Sequence, residues 1–163
     1  MANQDSINGH PDNQEANVPP LTVNVQYLKD ITFENPNPIK AIQEAAEGPE
    51  ISVSIDVRLD KLAEKTYEVS LHVSAEAKRK EDKLFIAEVE YAGIFTLGDL
   101  PEEAVHPVLM IECPRILFPY VRQIIANLTR EGGFPALSLN PIDFVEMYRQ
   151  QMERQGEGTP ANA

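Results

Sequence analysis

Few residues in this 163-residue chain have the types and spacing that chemistry requires. The three histidines, His10, His72 and His106, stand far apart. None has a second His or Cys at metal-ligand spacing, so no metal site is expected. Cys113 is the only cysteine, which excludes an intramolecular disulfide and fits a reducing compartment. A small buried residue ahead of Pro114 explains it better than a nucleophile, because only an ionised thiol attacks. Glu88 and Glu90 share one strand face like a carboxylate pair. Nothing beside them builds a pocket that would raise a carboxyl pKa, and a solvated strand explains them. There is no Gly-x-Ser-x-Gly, no phosphate-cradling loop and no Gly-x-Gly-x-x-Gly, and Gly132-Gly133 reads as a helix stop. The residues predict a protein that binds rather than catalyses, with no cofactor.

Charge narrows what it binds. The formal net charge is -12, from 26 acids against 14 bases. Phosphate binding needs a basic patch, so nucleic acid and anionic membrane surfaces are disfavoured partners. From residue 81 to 112 there are eight acids and one base, Lys83. On the polar parity of the first and fourth predicted strands lie Asp30, Glu34, Glu88 and Glu90, with Ile86 among them. An acidic sheet face with one aliphatic residue suits a basic partner; an ordinary wet face is the plainer alternative.

The elements that carry these residues follow from periodicity. At 42% hydrophobic and 25% charged residues the chain is globular, and its length fits one domain. Residues 1–19, rich in Asn, Gln, Asp and Pro, are expected to form a disordered arm, and 155–163 a flexible tail. The folded domain is expected over 20–154. Leu21, Val23, Val25, Tyr27, Ile31 and Phe33 alternate with polar residues, and the pattern slips at Leu28-Lys29, which predicts a bulge or a change of face. Residues 51–60, 67–77 and 84–97 alternate in turn. Period-two alternation predicts an antiparallel sheet with one dry face.

The second half reads as helix. A short helix is expected over Glu102–Met110, then a long one carrying Ile116, Leu117, Tyr120, Val121, Ile124, Ile125 and Leu128. Pro114 or Pro119 sits in its first turn. So apolar a helix is covered on most sides, and Tyr120, Val121, Ile124, Ile125 and Leu128 are expected to meet a second subunit. A crossover through Phe134, Leu137 and Leu139 leads to a last helix opening at Pro141. The fold class is therefore α+β: a four-stranded antiparallel sheet, a long helix and a C-terminal helix. The first 20 residues have no basic residue and no apolar core, so no secretory signal is read there, and no stretch nears the roughly 18 apolar residues of a membrane span. A cytoplasmic location is expected.

Several ordered motifs resemble the SecB family of bacterial protein-export chaperones. They are Tyr27-Leu28-Lys29-Asp30-Ile31-Thr32-Phe33-Glu34-Asn35-Pro36-Asn37, Tyr67-Glu68-Val69-Ser70-Leu71 and Glu90-Tyr91-Ala92-Gly93-Ile94-Phe95. The resemblance is strongest at Cys113-Pro114-Arg115-Ile116-Leu117-Phe118-Pro119-Tyr120 and from Gly133 to Phe144. The resemblance implies a homotetramer, a dimer of dimers with paired sheets and sandwiched helices. It implies an ATP-independent holdase, without catalysis, that keeps unfolded preproteins translocation-competent and delivers them to the SecA ATPase. By position, Asp30, Glu34, Ile86 and Glu88 match the family's SecA-docking face. Ile51, Val53, Ile55, Phe144 and Tyr148 match its client groove. The N-terminal arm is longer than in enterobacterial members, and no Lys or Arg follows Arg154 in the tail that the family uses on SecA. Two other readings keep parts of this picture: a SecB-like chaperone dedicated to a toxin–antitoxin pair, and an oligomeric small-ligand binder.

Overall fold

The computed structural model describes residues 18–157; the expected arm (1–17 of it) and the last six tail residues lie outside that range. Strands β1 (Leu21–Glu34), β2 (Glu50–Ala63), β3 (Thr66–Arg79) and β4 (Asp82–Leu97) are joined by helix α1 (Pro38–Gln43) between β1 and β2. Helix α2 (Glu102–Pro107), a π-helical turn (Val108–Glu112), α3 (Cys113–Glu131) and α4 (Phe144–Glu157) follow. The sheet is antiparallel throughout, in the order β1-β4-β3-β2. β1 and β2 are thus the two edges, and the chain between them must cross one end of the sheet. That crossing carries α1, which the turn-rich sequence 35–49 had not announced.

The expected slip in β1 is a β-bulge at Lys29, and a second bulge lies at Asn24. Each bulge spends one residue without a partner and reverses the strand's parity. Between them Val25 and Tyr27 turn to the outer face, while Gln26 and Leu28 turn inward. The sequence pattern had placed Val25 and Tyr27 with the dry set; the first bulge corrects this.

One face of the sheet is dry. Val69, Leu71, Val73, Val89 and Phe95 are buried beneath α3, which contributes Leu117, Val121 and Ile125. A Cβ on Gly93 would come 2.8 Å from the Phe95 ring and 3.3 Å from Leu117 Cδ2, so glycine lets helix and sheet approach. The expected Gly132-Gly133 stop is a Schellman closure. Gly133 has φ +87°, its N–H bonds Arg130 O, and the Phe134 N–H bonds Thr129 O. Pro107 and Pro114 have no N–H to give to Glu103 and Met110, and the wider π turn falls between them, making one helical run from α2 to α3.

Three helix boundaries differ from the periodicity. The short helix α2 ends at Pro107, not Met110, because the π turn takes over at Val108. Helix α4 starts at Phe144, not Pro141, because Asp143 is its cap: the Asp143 carboxylate accepts the Glu146 N–H at 3.0 Å. It then runs to Glu157, three residues past the expected boundary at Arg154.

Candidate functional site

An apolar cavity opens at the end of the sheet that α1 crosses. It holds about 580 Å³ and is lined by Ala41 and Ile42 of α1, Ile51 of β2, Phe85 of β4, and Phe134 and Leu137 of the loop after α3. Phe85 and Phe134 stand side by side in its wall, ring centroids 4.9 Å apart, and Phe33 stacks on Phe85 at 5.9 Å. Arg79 ties the crossing segment down, its guanidinium donating to Glu47 O at 2.8 Å and Ala41 O at 3.4 Å. The loop is tied by Thr129, fully buried, whose hydroxyl accepts the Leu137 N–H at 2.9 Å. In the sequence Thr129 is one of a few polar positions in an apolar helix, and nothing there signals the loop it holds.

Exposed aliphatics stand at the cavity, Ile42 and Ile51, and next to it in the chain, Ile39 and Val53. Ile39 and Ile42 are 71% and 68% exposed, Ile51 and Val53 39% and 43%. From the cavity, Ile51, Val53 and Ile55 form one row on the inner side of edge strand β2. The row ends in a second cleft of about 260 Å³ that Ile55 and Val57 share with Met147, Gln150 and Arg154 of α4. The three β2 residues expected in a groove are thus together. The two expected from α4 are not with them. Phe144 is 2% exposed and packs edge-on to Phe118 in the core, ring centroids 6.1 Å apart. Tyr148 turns to α2, its hydroxyl 3.0 Å from His106 Nδ1. Phe144 enters the core and sets the helix's rotation, so Met147 is the side chain α4 presents to β2. Ile42, Phe85 and Phe134 were missed because the lining comes from four separate segments.

On the sheet's other face the second expected set assembles. Glu34 stands directly opposite Ile86, Thr32 opposite Glu88 and Asp30 opposite Glu90. Asp30, Glu34, Ile86 and Glu88 thus share one outer patch of β1 and β4. Glu88 accepts a hydrogen bond from Ser74 at 3.4 Å. Beside the patch, the Lys29 ammonium lies 2.9 Å from Glu68 and 4.0 Å from Glu90, and the Tyr27 hydroxyl donates to Glu68. Burial, then the Glu68 carboxylate, pushes Tyr27 up to about 12. The Tyr27 and Lys29 hydrogen bonds hold Glu68 below the usual carboxylate range. A carboxyl lowered in the folded state adds stability that is present above its unfolded pKa and lost as pH falls through the folded value. Glu68→Gln should therefore flatten the acid limb of a stability–pH profile, below roughly pH 4.5. An unchanged acid limb would show that the cluster adds nothing to folding.

The expected subunit-contact residues divide. Val121 and Ile125 are 0% exposed against the chain's own sheet, so they are core, not outer surface. Leu128 is half-buried between the two core clusters. Tyr120 is 47% exposed and stacks on Tyr91, centroids 5.4 Å apart. Ile124 lies beside it, half-exposed. Tyr91 stands opposite Leu28, and Leu28, Ile31 and Val23 are exposed, so an apolar strip runs from α3 onto edge strand β1. Cys113 is buried, and burial followed by the Glu112 carboxylate pushes its thiol up to about 12, so it stays protonated at neutral pH. Among the described residues no helix is long and apolar enough to cross a membrane, and no His, Cys, Asp and Glu cluster could hold a metal.

Residues 14–155 match the family described as preprotein translocase subunit SecB. The protein-export protein SecB of Rhodopseudomonas palustris (strain BisB5) is 47% identical over 155 residues, 94% of this chain and 98% of that relative. The protein of the same name from Paramagnetospirillum magneticum is 51% identical over 133 residues, 81% of this chain and 85% of that one. Among solved structures, a Mycobacterium tuberculosis SecB-like chaperone in complex with an antitoxin peptide superposes with TM-score 0.62 at 16% identity, covering 76% of this chain and 91% of that one. The fold, the motifs and these matches agree: the chain belongs to the SecB family.

Proposed function

We propose that the protein is an ATP-independent holdase of the Sec export pathway, one that binds unfolded secretory precursors in the cytoplasm and passes them to SecA. The observation that carries this reading is the open apolar cavity of about 580 Å³ with exposed isoleucines at its rim. Apolar burial is non-directional, so such a surface accepts many sequences without side-chain-specific contacts. The names of the 47%-identical relatives support the export assignment. The antitoxin complex belongs to a protein only 16% identical, so a client of that kind is the weaker reading.

The acidic patch of Asp30, Glu34 and Glu88 around Ile86 is the surface proposed to meet SecA. Groove and patch lie on opposite faces of one sheet, so client and SecA do not compete for space. The apolar strip of Tyr120, Ile124, Leu28 and Ile31 supports assembly into a dimer of dimers, since a monomer in water rarely leaves such a strip open.

The test is suppression of aggregation of a slow-folding precursor with no nucleotide present. Stoichiometric protein should hold the precursor soluble, and Glu88→Lys should keep that holding while losing SecA affinity, most steeply at low salt. No suppression at stoichiometric concentration would overturn the holdase reading. Unchanged SecA affinity in Glu88→Lys would leave the patch as plain surface.

A further inference from the structure

The outer face of the sheet carries more acids than the patch uses, and ion pairs sort them. Lys29 pairs with Glu68 and Glu90, Lys78 with Glu76 at 2.9 Å, and Arg58 with Asp56 at 3.1 Å. Among the described residues, Asp30, Glu34 and Glu88 enter no ion pair; Glu50 and Asp60, on the far edge strand β2, are the other outer-face acids without one. The two lysines border the patch. Glu90, held by Lys29, stands opposite Asp30, and Glu76, held by Lys78, stands opposite Ile86. Lys83 stands opposite Lys78 and extends that border along the β3–β4 hairpin.

Exposed pairs of this kind add little to stability, so folding gives slight reason to keep a base at both borders. Their effect on a partner is larger. A carboxylate neutralised at close range offers a basic segment almost nothing, whereas its unpaired neighbour within a Debye length attracts it. Resting on the docking reading above, we propose that Lys29 and Lys78 are specificity-determining residues of the acidic face. By neutralising the acids around it they confine docking to Asp30, Glu34 and Glu88. A partner is thereby selected that carries two or three basic side chains around one apolar side chain, the complement of those acids and Ile86, and longer polybasic segments find no second register.

The experiment uses the full chain with two probes, SecA and decalysine, measured by calorimetry at low salt and again at about 0.5 M, where the Debye length has shrunk to a few ångströms. Lys29→Gln uncovers Glu68 and Glu90, and Lys78→Gln uncovers Glu76. Each is expected to tighten decalysine binding several-fold at low salt, with the gain gone at high salt, and to tighten SecA less, so the preference for SecA falls. Lys65→Gln, which makes the same change in net charge at the distant β2–β3 turn where Lys65 pairs with Asp99, is expected to do nothing. If Lys29→Gln does not fold by circular dichroism, Lys78→Gln carries the same comparison. Lysine variants that bind both probes as the parent does, that match Lys65→Gln, or that bind more weakly overturn the proposal. The docking reading fails separately, when Glu88→Lys leaves SecA affinity unchanged.

Discussion

Val121→Asp is expected to unfold the chain, not to separate its copies. Val121 is 0% exposed and packs with Leu117 and Ile125 on the sheet. An aspartate there is a buried charge with no partner, which costs about 3–5 kcal/mol. That is a large part of the roughly 5–15 kcal/mol that keeps a domain folded. Tyr120→Asp, one residue away on the same helix, makes a different change. Tyr120 is 47% exposed, so its carboxylate reaches water in the isolated chain and is buried only where a second copy covers it. Far-ultraviolet circular dichroism and light scattering separate the two. Val121→Asp should lose its cooperative melt, while Tyr120→Asp keeps the spectrum and falls in native mass. A Val121→Asp protein that melts like the parent at lower native mass would contradict the core assignment.

The second large effect concerns the groove. Ile42 and Ile51 both line the main cavity and are both exposed, so Ile42→Ser with Ile51→Ser should leave folding stability within about 0.5 kcal/mol. Each client Leu or Phe buried against them gains roughly 1.5–3 kcal/mol before the cost of ordering the client. Losing one such contact should weaken a short peptide about tenfold, since 1.4 kcal/mol is one decade. A long unfolded client that threads several copies of the site loses the contact at each, and its affinity should fall more than a hundredfold. Binding of a short labelled peptide and of a full-length unfolded precursor, measured side by side, decides this. An equal loss for both would rule out multivalent holding, and no loss for either would place the client elsewhere.

These predictions draw on different levels of the chain. Elements with a strong period were legible in the sequence. Val53, Ile55 and Val57 alternate with Ser and Asp, and a β-strand is the conformation that separates them by face. The same rule set Asp30, Glu34, Ile86 and Glu88 on wet parities, and the slip at Lys29 was visible because apolar Leu28 and charged Lys29 stand at each other's expected places. The Gly132-Gly133 stop was legible because few residues accept φ +87°. The SecB motifs carried the family, since many ordered residues at fixed spacing rarely coincide.

What only the tertiary structure decided depends on contacts between distant segments. The apolar helix α3 shows several stripes, and periodicity cannot tell which one meets the chain's own sheet. Burial assigned Val121 and Ile125 to the core and left Tyr120 outside. Phe144 and Tyr148 belong to the right helix, but the helix's rotation was settled by packing Phe144 on Phe118, which turned Met147 toward β2 instead. The cavity itself joins α1, β2, β4 and the loop after α3. Its lining residues are distant in sequence and share no period. Only the strand order β1-β4-β3-β2, which forces the chain across the end of the sheet, brings them to one wall.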